Sequence, residues 1–376
     1  MFKLPRSACR VALAALLIST LMPLPSRAAD SDYGKVGDPV HLVIGYQPYW
    51  TMGYGPAVLK AKELWKKYLP KGSTVEFQIG LQGSVITNNM LGAKQQIGYM
   101  GEMPAIAAVT KERTADLRLV GVLGISKDVC NVFLVRPDAP KFNNPIDGVK
   151  WIEGKQFAAA RGSCADRFSQ SAFKAEKVTP AANLNQSLEV ISTNFKAGRV
   201  DAAVVWEPTA TKLEEEGVAK RVASGVNFNE DDGGFLVMRE DLIRLRPDVA
   251  NGWLNAELDA QLFVSDPKNS KEVVAIVAKQ VTGFSEKMLW DALWGNVPEA
   301  VGGTKTKLTQ PFTFTPDVMA LVSKSVTFLH EMKAIDVTEL RKDAIMPQLT
   351  QDVLKSRNLT APIATISAVS EASAQK

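Results

Sequence analysis

Residues 195–208 read FKAGRVDAAVVWEP, and their pattern decides the fold. The short apolar run over 200–206, interrupted only by Asp201, predicts a buried strand. Glu207-Pro208 leaves that strand and opens a helix over 208–216, where proline suits a first helical turn and Gly217 a stop. Another helical segment, 188–196, precedes the strand. Helix, strand and helix in quick succession describe one unit of an α/β sheet.

The same alternation recurs on both sides. Strands over 41–46, 74–79, 95–100 and 117–123 alternate with helices over 56–68, 84–91 and 104–109. In the first of these helices Ala57, Ala61, Leu64, Trp65 and Tyr68 share a face. A further strand starts near Val129 and includes 133–135, and a loop rich in Pro and Asn covers 137–148. A strand over 156–160 and a helix over 163–176 then lead into the opening stretch. From Asp241 the pattern is mostly helical, over 247–263, 270–281, 285–294 and 316–332. Residues 361–376, rich in Ala and Ser without a periodic apolar face, read as a disordered tail. Strands alternating with helices, with glycine at the strand exits, predict an open α/β sheet.

The chain has 376 residues and a formal net charge of +4, from 44 Lys and Arg against 40 Asp and Glu. With 46% hydrophobic and 22% charged residues, its composition excludes a disordered chain, a collagen or a disulfide scaffold. Its length suits two domains. The charge excess is local. Lys3, Arg6 and Arg10 precede an apolar run over 11–22, and Ser26-Arg27-Ala28 follows. A basic start, a short apolar core and small residues at a cleavage point predict a secretory signal peptide over 1–28. The run is shorter than the roughly 20 apolar residues that span a bilayer. Cleavage removes Lys3, Arg6, Arg10 and Arg27 but no acid, leaving 40 side chains of each sign. A neutral mature chain has no general basic surface for nucleic acid or membrane, and its expected location is the periplasm.

Cys9 lies ahead of the apolar run and leaves with the signal. Cys130 and Cys164 remain, either bridged or as two small buried thiols. His41 and His330 are the only histidines, and neither sits in a nucleophile, metal or acid–base motif. No phosphate loop, dinucleotide fingerprint or Cys/His metal spacing occurs. Asp231-Asp232-Gly233-Gly234 lacks the later ligands of a calcium loop and reads as a turn. The expectation is a protein that is not an enzyme and uses no metal or cofactor.

Ligands of open α/β sheets sit beyond the carboxyl ends of strands, beside helix N-termini. Five predicted exits carry suggestive residues. Gln47, Tyr49 and Trp50 follow the first strand, Gly83-Ser84 the second and Gly101-Glu102 the third. Arg161-Gly162-Ser163 and Trp206-Glu207 follow the strands 156–160 and 200–206. Each has a plainer explanation: Gly-Ser before a helix is first an N-cap, and a carboxylate in a first helical turn is favoured by the dipole alone. If caps from two α/β sets face each other, their free N–H groups suit an oxyanion, and Arg161 adds a planar fork of donors. Glu102 is the candidate partner for an ammonium group.

Residues 41–48 (HLVIGYQP), 75–83, 95–105 (QQIGYMGEMPA), 154–163 (GKQFAAARGS) and 195–208 follow an export signal in this order. Together they resemble the solute-binding proteins of nitrate/sulfonate/taurine-type ABC transporters, over about residues 40–225. The resemblance implies a type II periplasmic-binding-protein fold, with lobe 1 from 38–128 plus 226–360 and lobe 2 from 129–225, closing on one solute. It implies ligand contacts at Gln47, Tyr49, Trp50, Ser84, Gly101, Glu102, Gly162, Ser163, Trp206 and Glu207. The stretch 49–55 is longer than the family's usual first loop. The implied protein is a monomer that captures a small organic anion or zwitterion and delivers it to an ABC permease and its ATPase. Two other roles occur on such a fold: a sensory binding protein for a membrane receptor, and an enzyme resembling the thiamin-precursor relatives, which would want a histidine and cofactor setting in the cleft.

Overall fold

The computed structural model describes residues 32–369, so the predicted signal peptide over 1–28 and residues 370–376 lie outside the described residues. Its strands are β1 His41–Tyr46, β2 Thr74–Ile79, β3 Ile97–Gly101, β4 Leu117–Ser126, β5 Val132–Val135, β6 Gln156–Ala159, β7 Ala182–Asn185, β8 Ala202–Val205, β9 Lys220–Ser224, β10 Asp232–Arg239, β11 Thr306–Gln310 and β12 Ala364–Ser367. They form a seven-stranded sheet, ordered β12-β11-β4-β10-β3-β1-β2, and a five-stranded sheet, ordered β7-β6-β8-β5-β9. The chain crosses from the first sheet to the second after β4 and returns after β9. This is the α/β architecture of periplasmic binding proteins.

Two register facts place the site. In the larger sheet β2, β1 and β3 are parallel neighbours, so their carboxyl ends lie side by side. In the smaller sheet β6 runs parallel to β7 and β8, which brings the ends of β6 and β8 together. Strands covered on both faces read as continuous apolar runs, as β5 and β8 do; the edge strand β2 is largely open to solvent. Phe133, Phe157, Phe168 and Phe173 pack with ring centroids 4.8–6.2 Å apart, anchoring the helix Cys164–Glu176 on the smaller sheet.

Several sequence expectations are corrected. The turn read at residues 231–234 is instead the start of β10, with Asp232 fully buried. Glycine is required there by close approach: a Cβ on Gly234 would come within 2.6 Å of Trp50 Cη2. The helix expected over 56–68 ends early, as Tyr54–Ala61, and a 3₁₀ turn Leu64–Lys67 follows Glu63 at φ 49°. Inside the predicted loop 137–148 a helix Pro145–Lys150 begins, capped by the Asn144 side chain, which accepts the Asp147 N–H. The disordered tail expected over 361–376 does not hold for its described part. There β12 pairs antiparallel with β11 and buries Ile366. A four-residue edge strand with one deeply buried side chain is too short to show a periodic face.

Candidate functional site

The strand exits of the two sheets meet at a cleft with about 500 Å³ of atom-free space, its solvent mouth included. One wall carries Gln47 and Trp50 after β1, Gln82 to Ser84 after β2, and Gly101 with Pro104 after β3. The other carries Ala160 to Cys164 after β6 and Trp206 after β8. Thus Gln47, Trp50, Ser84, Gly101, Arg161, Gly162, Ser163 and Trp206, singled out from sequence, share one cavity. Gln82, Pro104, Ala160 and Cys164 line it as well, at or beside the same exits, and were not among the expected contacts.

The helix Cys164–Glu176 points its N-terminus into this space. Ser163 is its N-cap: its Oγ accepts the Asp166 N–H at 3.3 Å and donates to the Ala160 carbonyl at 2.6 Å. Gly162 reaches this geometry at φ 71°, and its N–H donates to Asp166 Oδ2 at 2.9 Å. The Arg161 N–H donates to Asn185 Oδ1 at 3.0 Å, while its exposed guanidinium has no partner among the described residues. On the opposite wall the helix Gly83–Leu91 starts one residue before Ser84. Ser84 is therefore exposed in the first turn and is not the expected cap; the N-cap is Gln82. That wall fits closely, because a Cβ on Gly83 would lie 2.3 Å from Pro104 Cγ. Trp50 Nε1 is buried and finds no acceptor among the described residues.

Cys130 and Cys164 form a disulfide with a Cα–Cα distance of 6.1 Å, which excludes the pair of free thiols. The bridge ties the first residue of the helix Cys164–Glu176 to the segment that crosses between the sheets.

Three expected contacts fall outside the lining. The Tyr49 hydroxyl accepts the Thr282 N–H at 3.1 Å, and its ring tilts against Phe284 at 6.1 Å, which turns it away from the cleft. Glu102 is fully buried behind the wall. Its Oε1 lies 3.5 Å from Arg167 Nη2, and its Oε2 accepts the Gly233 N–H at 3.2 Å. Burial pushes this carboxyl above its usual range despite the opposing pull of Arg167. Glu207 is equally buried, accepting from the Arg221 guanidinium and from the Thr211 N–H at 2.9 Å. Arg167 also pairs with Glu230 at 2.8 Å and donates to the Asp231 carbonyl. Nothing in the local pattern around Arg167 or Arg221 marks either as a buried counter-ion.

The fold is shared with solved proteins of distant sequence. The alkanesulfonate-binding protein SsuA from Xanthomonas axonopodis pv. citri, solved bound to MOPS, is 18% identical with a TM-score of 0.63 over 82% of this chain and 99% of that one. The periplasmic nitrate-binding protein NrtA from Synechocystis PCC 6803 is 13% identical with a TM-score of 0.66 over 85% of this chain and 89% of that one. The desulfurization enzyme DSZB is 15% identical with a TM-score of 0.60 over 84% of this chain and 99% of that one. None of the curated proteins matches the chain in sequence. The model of the NMT1-like family matches residues 37–278, more than half of the sequence, and the chain belongs to that family.

Proposed function

We propose that this protein is the exported solute-binding component of an ABC importer and captures a small anion in the cleft. One observation carries the reading: helix N-termini from both sheets and Arg161, unpaired among the described residues, converge on a cavity to whose lining those residues contribute no carboxylate. Each helix end offers about half a positive charge and free N–H groups, so an anion exchanges its water shell for fixed donors. Sulfonate- and nitrate-binding proteins of the same fold support an anionic solute. The predicted signal peptide and the disulfide support a periplasmic location. On this reading the monomer hands its solute to a membrane permease driven by an ATPase.

The fold of a desulfurization enzyme favours a second reading, chemistry in the cleft. Capture is the better supported of the two. His41 lies at the start of β1, bonded to Thr74 Oγ1 at 2.8 Å, and His330 lies in the helix Pro316–Glu331. Neither lines the cleft, and Cys164, which does, is bridged.

Calorimetry and thermal unfolding with propane-1-sulfonate, benzoate and nitrate test the reading. At 100 times its Kd, a ligand that binds only the folded state adds about 2.7 kcal/mol of stability. The expected result is stabilisation by at least one of these anions, with no chemical change in it. Stabilisation by none would sink the capture of an anion, and turnover would favour the enzyme. Arg161→Met should weaken binding about ten- to a hundred-fold, as loss of a charge-assisted hydrogen bond does. The melting temperature of the free protein should stay put, because the guanidinium has no partner to lose.

A further inference from the structure

The cleft has the shape of its charges as well as of its walls. Among the described residues Arg161 is the only ionised side chain in the lining, and the remaining polar groups are neutral amides, hydroxyls and indole N–H groups. The carboxylates within two positions of lining residues are Glu102, Asp166 and Glu207, and each has both oxygens engaged elsewhere. Glu102 faces Arg167 and the Gly233 N–H. Asp166 accepts from Gly162 N–H and Gln170 Nε2, at 2.9 and 2.8 Å. Glu207 accepts from Arg221 and the Thr211 N–H. The apolar part of the lining is dominated by two indoles, Trp50 from one wall and Trp206 from the other, each less than a tenth exposed.

We infer that the solute carries no ammonium group and that its body is flat and apolar, which makes it an aromatic sulfonate or carboxylate. The inference rests on the capture reading above and narrows it. An ammonium drawn into this cleft would lose its water without meeting a free carboxylate, and a buried charge left unpaired is strongly unfavourable. Arg167 and Arg221 therefore act as specificity-determining residues at one remove: by neutralising Glu102 and Glu207 they remove the groups that would hold a zwitterion. Indole rings gain most from a flat ring laid against them.

Isothermal titration of the protein with taurine, propane-1-sulfonate and benzenesulfonate tests this directly. Taurine and propane-1-sulfonate have the same number of heavy atoms in the same chain and differ in an ammonium against a methyl group. The expected order is benzenesulfonate at least ten-fold tighter than propane-1-sulfonate, and propane-1-sulfonate at least ten-fold tighter than taurine. Glu102→Gln and Glu207→Gln should each leave the propane-1-sulfonate to taurine ratio unchanged. A smaller margin at either step, or taurine binding that disappears with Glu102→Gln or Glu207→Gln, overturns the inference while capture of an anion stands. Failure of all three ligands, and of benzoate and nitrate, to bind overturns both.

Discussion

Lys307→Met should cost the folded protein about 3–5 kcal/mol, the loss expected when one partner of a buried ion pair is removed. Lys307 Nζ lies 2.6 Å from Asp128 Oδ2, and neither side chain is exposed at all. The ammonium comes from β11 in the larger sheet, and the carboxylate from the segment after β4, where the chain crosses to the smaller one. Its remaining local support is the Ser126 hydroxyl, 3.3 Å from Oδ1. Methionine fills much of the lysine volume but leaves the buried Asp128 carboxylate with no direct ion-pair partner, the Arg221 guanidinium acting on it only at longer range. Most of the cost is therefore the stranded charge, and it should be recoverable. Lys307→Met combined with Asp128→Leu should regain most of the lost stability, since the intact pair itself carries a large desolvation penalty. Lys66→Ala is the contrast: its partner Glu63 and the lysine are both more than half exposed, and the change should be close to neutral. Urea unfolding at neutral pH, compared at constant slope, measures all of these. A loss below about 1 kcal/mol for Lys307→Met would mean that water reaches Asp128, and the account of a dry crossing segment would fail.

The same distinction between local and distant causes separates what could be read in the residues from what could not. The cleft wall was legible because strand exits are punctuated locally: Gln47 before proline, Gly101 after an apolar run, Arg161-Gly162-Ser163 before a helical face. Parallel neighbours then carry such exits to the same end of a sheet, so a sequence rule becomes a spatial one. Which way a helix-start carboxylate faces is not local. Glu102 turns inward for Arg167, 65 positions away, and Glu207 for Arg221, 14 positions away. The two Gly-Ser pairs look alike in sequence yet differ in structure. Gly162 at φ 71° leaves Ser163 outside the helix as its cap, whereas Gly83 is already helical and carries Ser84 into the first turn. The strand β10 was hidden for another reason. It is buried along its whole length and so lacks alternation, and its Asp-Gly-Gly start carries the strongest turn signal in the region.

The contribution of Glu257 to stability should be lost as pH rises through the range in which its carboxyl ionises. Glu257 lies in the helix Pro247–Ser265, 1% exposed, beneath the sheet that forms one cleft wall. Its carboxyl accepts from the Tyr99 hydroxyl at 2.8 Å and from Gln261 Nε2 at 2.9 Å, and Trp253 Nε1 donates to the same Tyr99 oxygen at 2.8 Å. Burial raises this carboxyl from 4.5 to about 7, against the smaller downward pull of the two hydrogen bonds. A folded-state pKa above the unfolded one means that the folded state holds the extra proton. Its contribution to stability is complete below about pH 4.5, is lost progressively up to about pH 7, and is constant above, a change of about 3 kcal/mol. Glu257→Gln has no proton to lose and should remove that slope. Other buried carboxyls, Glu102 and Asp232, are also held above their usual range, so the raw stability profile mixes several groups. The difference between the wild-type and Glu257→Gln profiles isolates this one. Relative to the wild type, the variant should gain about 3 kcal/mol between pH 4.5 and 8, read by urea unfolding across the range. A flat difference curve would mean that Glu257 ionises as freely inside the fold as in the unfolded chain. Its site could then not be dry, and the Tyr99 hydroxyl would have to share its carboxylate with water.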